Sequence, residues 1–183
     1  LNDKNTIYVS GYFGKDELGY SDKFSFDWGN ATATLRWNNV INDKLFSNTS
    51  LIYSNFNYNV NVNSDNNVFK IASKINNWNF KEDFQYFTNP KNTFKFGVHL
   101  LYQKISPASL NATGGSEVNS IFIEPRKGLD ASAYFSHEWK PTDRLSMIYG
   151  IRLSDFFVLG PGTFYNYDEE GEPIGSNTYG DNK

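Results

Sequence analysis

His99 and His137 are the only histidines in the chain, and cysteine is absent. Without thiols there is no disulfide framework, thiolate metal site or catalytic cysteine. A shared metal site or acid/base pair needs both imidazoles at one point, but they fall on different β-like runs with opposite expected facing. Asp168, Glu169, Glu170 and Glu172 form an acidic cluster. It lacks the Asp/Asn spacing and the closing Glu of a calcium loop and reads as a solvated loop. Gly114, Gly115, Gly160 and Gly162 follow no phosphate-binding pattern and read as loop punctuation. The serines accompany no nucleophile elbow or partnered histidine. Sequons at Asn30, Asn48 and Asn111 reflect an Asn-rich composition. No enzyme activity, metal or cofactor is expected.

The remaining polar candidates sit on strands, so the strands come next. From Gly128 to Phe157 two runs flank the turn Lys140-Pro-Thr-Asp-Arg144. Leu129, Ala131, Ala133, Phe135, His137 and Trp139 alternate with Asp130, Ser132, Tyr134, Ser136 and Glu138. Beyond the turn, Leu145, Met147, Tyr149, Ile151 and Leu153 alternate with Ser146, Ile148, Gly150, Arg152 and Ser154. Side chains alternate faces along a strand, so this is a two-faced β-hairpin. Each arm is about as long as the roughly 9–11 tilted residues that cross a bilayer, where strands of soluble domains run about 5–6. Trp139 beside the short turn and Phe157 at the far end stand where a transmembrane barrel carries aromatic girdles.

Four short polar connections recur, at Asn2–Asn5, Asn42–Lys44, Asn89–Asn92 and Pro141–Arg144. Asn and Asp tolerate left-handed backbone angles and Pro presets one dihedral, so these are turns. Between them lie longer polar segments at 15–26, 59–70, 106–127 and from Leu159 onward, read as long loops. Short turns alternating with long loops are the pattern of outer-membrane barrels.

Seven strands follow, near residues 6–14, 27–41, 45–58, 71–87, 93–105, 129–139 and 145–157. In the third, Thr49, Leu51 and Tyr53 share one parity while Phe56, Tyr58, Val60 and Val62 share the other, which a β-bulge near Ser54 or Asn55 would reconcile. In the fourth, Glu82 falls within the apolar set of Trp78, Phe80, Phe84 and Tyr86, and a bulge would turn it inward. The fifth is regular: Phe94, Phe96, Val98, Leu100 and Tyr102 against Lys95, Gly97, His99 and Gln103. Phe94 to Tyr102 spans roughly 26 Å along the strand. Tilt shortens that to roughly 20 Å of depth, close to a membrane barrel's apolar band of about 25 Å.

Sixteen Phe, twelve Tyr and four Trp among 183 residues give an apolar payload within a polar average. There is no run of about 18 apolar residues, hence no transmembrane helix. A net charge of -3 without a basic patch argues against a nucleic-acid partner. The fold class is all-β, an antiparallel transmembrane barrel segment, organised over residues 1–183 as one partial barrel domain. The alternatives are a soluble all-β binding module such as a carbohydrate-binding sandwich, with Phe96, Val98, Ala133 and Ile151 packed between sheets, and a small structural or adhesin barrel.

The runs Asn89-Pro-Lys-Asn-Thr-Phe-Lys-Phe-Gly97 and Tyr149-Gly-Ile-Arg-Leu-Ser154, with Leu159-Gly-Pro-Gly162 and Phe164-Tyr-Asn-Tyr-Asp168, resemble the barrel of TonB-dependent receptors. The nearest likeness is to the branch with a carboxypeptidase-regulatory-like domain before the plug. The resemblance implies about seven strands of a barrel of about 22, the plug and N-terminal regions being absent. It implies the outer membrane of a Gram-negative bacterium and import of a scarce ligand, such as an oligosaccharide, siderophore or peptide, energised by TonB. The implied partners are outer-membrane lipid, TonB and a surface lipoprotein. In such a barrel Arg36, Lys95, His99, Gln103, Asp130, Glu138 and Arg152 face the lumen. Trp37, Tyr86, Phe94, Phe96, Tyr102, Phe135, Trp139 and Tyr149 form the lipid face and girdles, and Phe164, Tyr165 and Tyr167 are loop residues for ligand contact.

Overall fold

The computed structural model of the protein describes residues 2–64, 67–112 and 119–180. Seven strands form one antiparallel sheet in chain order: β1 (Asn5–Tyr20), β2 (Phe24–Asn42), β3 (Leu45–Ser64), β4 (Asn67–Asn89), β5 (Asn92–Ala112), β6 (Arg126–Thr142) and β7 (Leu145–Leu159). A separate hairpin follows, β8 (Gly162–Tyr167) with β9 (Pro173–Tyr179). Among the described residues no strand covers the outer edges of β1 and β7, and no large hydrophobic side chain is fully buried. No described helix is long and apolar enough to cross a membrane.

The short turns form where the sequence supplies asparagine. Asn42 Oδ1 accepts the backbone N–H groups of Lys44 and Leu45, each at 3.0 Å. Asn89 Oδ1 accepts that of Lys91 at 2.9 Å, and Asn2 Oδ1 that of Lys4 at 3.1 Å. The side chain mimics a turn of backbone, as Asx residues do.

Two of the expected long loops are strand. β1 continues to Tyr20 and meets β2 through a 3₁₀ turn, Ser21–Lys23, in which Ser21 takes a φ of 53°. β3 runs to Ser64 and β4 begins at Asn67. β5 reaches Ala112, and after it Ile121 exchanges two 2.9 Å backbone hydrogen bonds with Leu110. Residues 113–118 of the expected loop lie outside the described residues. The segment after Leu159, expected to be all loop, contains the β8–β9 hairpin. Strands of 15 to 23 residues replace the expected strands of about 9 to 17.

Register assigns the faces, because directly paired residues point the same way. One row reads Val9, Leu35, Leu51, Phe80, Leu100, Ala131, and the next Gly11, Ala33, Tyr53, Trp78, Tyr102, Leu129, Phe157. This face is mostly apolar across the sheet, the first row ending on Asp155 in β7. Two rows further from the short turns it changes to Lys15, Gly29, Asn57, Lys74, Ser106. There the apolar side chains move to the opposite face: Leu18, Phe26, Val60, Ile71 and Leu110 are aligned across β1 to β5.

The parity change in β3 is therefore not a bulge. Pairing with β2 is unbroken from Phe24↔Val62 to Val40↔Phe46, so Ser54 and Asn55 sit in regular strand. The alternation persists and the polarity of the two faces exchanges. Glu82 is not turned inward either. It lies between Thr49 and Val98 on the apolar face, in a register unbroken from Lys74↔Ser106 to Phe87↔Thr93.

The short-turn end is staggered. The last pair is Asn42↔Leu45 between β2 and β3, Asn89↔Asn92 between β4 and β5, and Thr142↔Leu145 between β6 and β7. Traced through the register, each turn lies two residues beyond the one before. That is about one residue, or about 3.3 Å, per strand against a strand spacing of about 4.8 Å, and the strands lean by about 35°.

Candidate functional site

The surface opposite the apolar band changes character along its length. Near the short turns it is polar. Arg36, Ser50, Lys81, His99 and Ser132 form one cross-strand row, and Asp83, Gly97, Tyr134 and Arg152 the row beside it. Tyr134 Oη donates to Asp83 Oδ1 at 2.7 Å, reaching across Gly97 on the strand between. A Cβ at Gly97 would meet both the Tyr134 ring and the Asp83 carboxylate at 2.9 Å, so glycine gives the aromatic ring its path. Arg152 Nη2 donates to Ser132 Oγ at 2.6 Å.

All seven residues proposed as lumen-facing, Arg36, Lys95, His99, Gln103, Asp130, Glu138 and Arg152, share this surface by register. They do not converge on one point. Glu138, near the short turn, pairs with Lys140 at 2.8 Å, whereas Gln103 lies at the other end of the polar zone, opposite Asn77. Asn38 Oδ1, Asn77 Oδ1, Asn79 Oδ1 and His99 Nε2 are buried atoms without a hydrogen-bond partner among the described residues, and all four residues belong to this surface. Buried polar atoms are ordinarily paired, so a cluster of unpaired ones marks a surface that has hydrogen bonds to offer.

Beyond the polar rows lies an aromatic platform that the sequence reading missed. Phe26 and Trp28 have ring centroids 4.9 Å apart, and Tyr58 stands 6.2 Å from Phe26. Their clue was parity: Phe24, Phe26 and Trp28 are even-numbered where Leu35 and Trp37 are odd, the same reversal noticed in β3 but taken there for a bulge. The reverse side of this stretch is polar. Asn59 Nδ2 donates to Asp27 Oδ1 at 2.9 Å and Asn61 Nδ2 to Ser25 Oγ at 3.0 Å.

The eight aromatic positions proposed for a lipid face, Trp37, Tyr86, Phe94, Phe96, Tyr102, Phe135, Trp139 and Tyr149, all lie on the apolar face. His137 is among them. Its Nδ1 is 2.7 Å from Tyr149 Oη, its Nε2 is 2.9 Å from Asn92 Oδ1, and its ring stacks on Phe94 at 4.3 Å. The two histidines thus occupy opposite faces. No group of three His, Asp or Glu side chains suited to a metal occurs among the described residues.

Phe164, Tyr165 and Tyr167 are in strand β8 rather than an open loop, and they divide. Phe164 lies under the Arg126 guanidinium, 4.6 Å from ring centroid to Cζ, while Arg126 Nη2 donates to Thr163 O at 2.8 Å. Tyr165 and Tyr167 stand on the other side of the strand with rings 6.4 Å apart. The acidic cluster makes the turn of this hairpin: Asp168 Oδ1 accepts the Glu172 N–H at 2.7 Å, and Gly171 takes a φ of 87°. No family model, curated protein or solved structure matches the chain.

Proposed function

We propose that the chain is a segment of an outer-membrane barrel of the TonB-dependent receptor kind. The apolar face meets lipid. The opposite face lines the lumen, where its polar rows meet a plug and its aromatic platform lies on the path of an imported ligand. A flat or ring-bearing ligand, such as a sugar or an aromatic chelator, suits stacked rings above hydrogen-bonding side chains.

One observation carries this reading: a face across seven strands that is apolar apart from a few polar positions such as Glu82 and Asp155, giving way to polar rows away from the short turns, with no protein layer against it among the described residues. Phe96, Val98 and Ile151, which a sandwich would pack between sheets, are 37%, 42% and 65% exposed. Burying such a surface in hydrocarbon removes a large unfavourable contact with water. A lean of about 35° lies at the lower end of the tilt of barrel strands, about 35–45°. The two long edges are where further strands of a larger barrel pair. TonB coupling and import follow from the resemblance of the turn and strand runs.

Membrane fractionation of the full-length protein tests the first half. The protein is expected in the outer membrane, requiring detergent for extraction and migrating differently on a gel before and after boiling. A monomer soluble without detergent would overturn the proposal. For the second half, the full-length protein is expected to retain the periplasmic domain of TonB. A membrane barrel that does not retain it would be a channel or adhesin instead.

A further inference from the structure

The aromatic platform is one part of a wider apolar wall on the far halves of β1 to β5. Leu18, Phe26, Val60, Ile71 and Leu110 make one cross-strand row. The row beyond it runs from Tyr20 and Phe24 to Phe69, and two rows nearer the short turns stand Phe56, Ile75 and Ile105. Leu18, Tyr20, Phe24, Phe56 and Ile105 are exposed, so no described segment covers the wall. Across β1 to β5 these rows, with the Trp28 and Tyr58 row among them, carry one charged side chain, Asp16 at the β1 edge.

Next toward the short turns comes a neutral belt on the same face. Thr32, Ser54, Asn77 and Gln103 are successive cross-strand partners, and each can both donate and accept a hydrogen bond. Asn77 Oδ1 has no hydrogen-bond partner among the described residues. Across these strands charge returns two rows further on, with Arg36, Lys81 and His99.

We propose that the wall and the belt together bind an extended, uncharged oligopeptide. Its apolar side chains lie on the wall, with an aromatic ring against Phe26 and Trp28, and the backbone amides of its inner end meet Thr32, Ser54, Asn77 and Gln103. Phe26 to Thr32 spans about 20 Å, the length of about six extended peptide residues. The wall measures about 20 Å along the strands by about 19 Å across them, or about 400 Å². A stable protein–protein interface takes about 800 Å² from each partner, so a globular partner or a second copy of the sheet is poorly served by this area. A sugar chain stacks on rings, but Leu18, Val60, Ile71 and Leu110 offer its hydroxyls neither a ring face nor a hydrogen bond, and those hydroxyls lose water without replacement. An anionic chelate finds no cation in the wall, and a fatty chain leaves the belt unused. The inference narrows the reading of the platform as a ligand site and rests on it.

The test uses the full-length protein in amphipol and an end-capped peptide of about eight residues in which leucine and phenylalanine alternate with serine. It is titrated calorimetrically beside an all-serine peptide of the same length, a maltooligosaccharide and decanoate. The apolar peptide is expected to bind about tenfold or more tightly than the all-serine one, the scale of a few buried methylene groups. Val60→Asp, which sets a charge in the middle of the wall, is expected to weaken the apolar peptide by about tenfold or more. Asn77→Ala with Gln103→Ala, which leaves the wall intact, is expected to weaken it by about threefold to tenfold. Lys70→Gln, on the opposite face of the same stretch, is expected to leave binding unchanged, and heat-dependent gel migration checks the folding of every variant. Affinity for the apolar peptide that is the same in the wild type and in both site variants overturns the site. So does a maltooligosaccharide, or decanoate, that binds more tightly than the peptide and loses its affinity on Val60→Asp. A protein that needs detergent yet binds no peptide removes only this proposal, whereas one soluble without detergent removes the lumen reading beneath it.

Discussion

Each of the first five strands has two halves that share a backbone and a period but carry their apolar side chains on opposite faces. On the half nearer the short turns, Leu35, Leu51, Phe80 and Leu100 stand on the apolar face and Arg36, Ser50, Lys81 and His99 behind them. On the far half, Asn57 and Asn59 stand on the first face and Phe26, Tyr58 and Val60 behind. No residue is inserted into β2 or β3 at the change. Alternation therefore reveals that a strand has two sides; it does not reveal what covers each side, and that assignment can reverse within one unbroken strand.

The comparison breaks most sharply with arginine. Leu100→Arg, within the apolar band, is expected to destabilise the folded protein in vesicles by about 2–4 kcal/mol. Asn59→Arg, on the same face of the far half, is expected to stay within about 0.5 kcal/mol. Denaturant titration of refolded protein checks both, and equal costs would mean that the far half lies in the same solvent as the near half. Trp28→Ala is expected to cost about 1–2 kcal/mol through lost apolar burial and ring contact with Phe26, with ligand uptake more affected than folding. Glu82→Leu sharpens the picture from the other side. Removing a carboxylate that has no ion-pair partner among the described residues from the apolar face is expected to stabilise by about 1 kcal/mol, and a loss of stability would mean that Glu82 has a partner in the membrane. Asn89→Ala, which removes the turn hydrogen bond to Lys91, is expected to cost about 0.5–1.5 kcal/mol in the same titration.

Number and order of the main strands were legible because Asn-Asp-Lys and Asn-Pro-Lys clusters leave the chain one local solution. Strand lengths were not. Residues 55–63 alternate Asn with Phe, Tyr and Val, and such a run looks like a polar loop when only one face is expected to be apolar. The polar candidates on β2 and on β5 to β7 share one face, which parity makes legible because it is a local property of each strand. Their failure to converge depends on register between strands, which single-strand alternation does not encode. The β8–β9 hairpin was missed because its strands are six and seven residues long and rich in Gly, Asn and Ser, with little apolar contrast. Arg126 engaging Phe164 joins two distant stretches of chain, and no local pattern announces it.

The stepped turn tips carry a geometric consequence. A line of constant height does not follow the hydrogen-bonded rows but descends across them, passing Trp37, then Phe84, then His137, each lower in the register than the one before. Side chains that face each other across a pair of strands thus sit at different elevations, and residues level with one another belong to different rungs. A ribbon wound at this pitch and closed on itself would meet its own start displaced by about as many residues as it has strands.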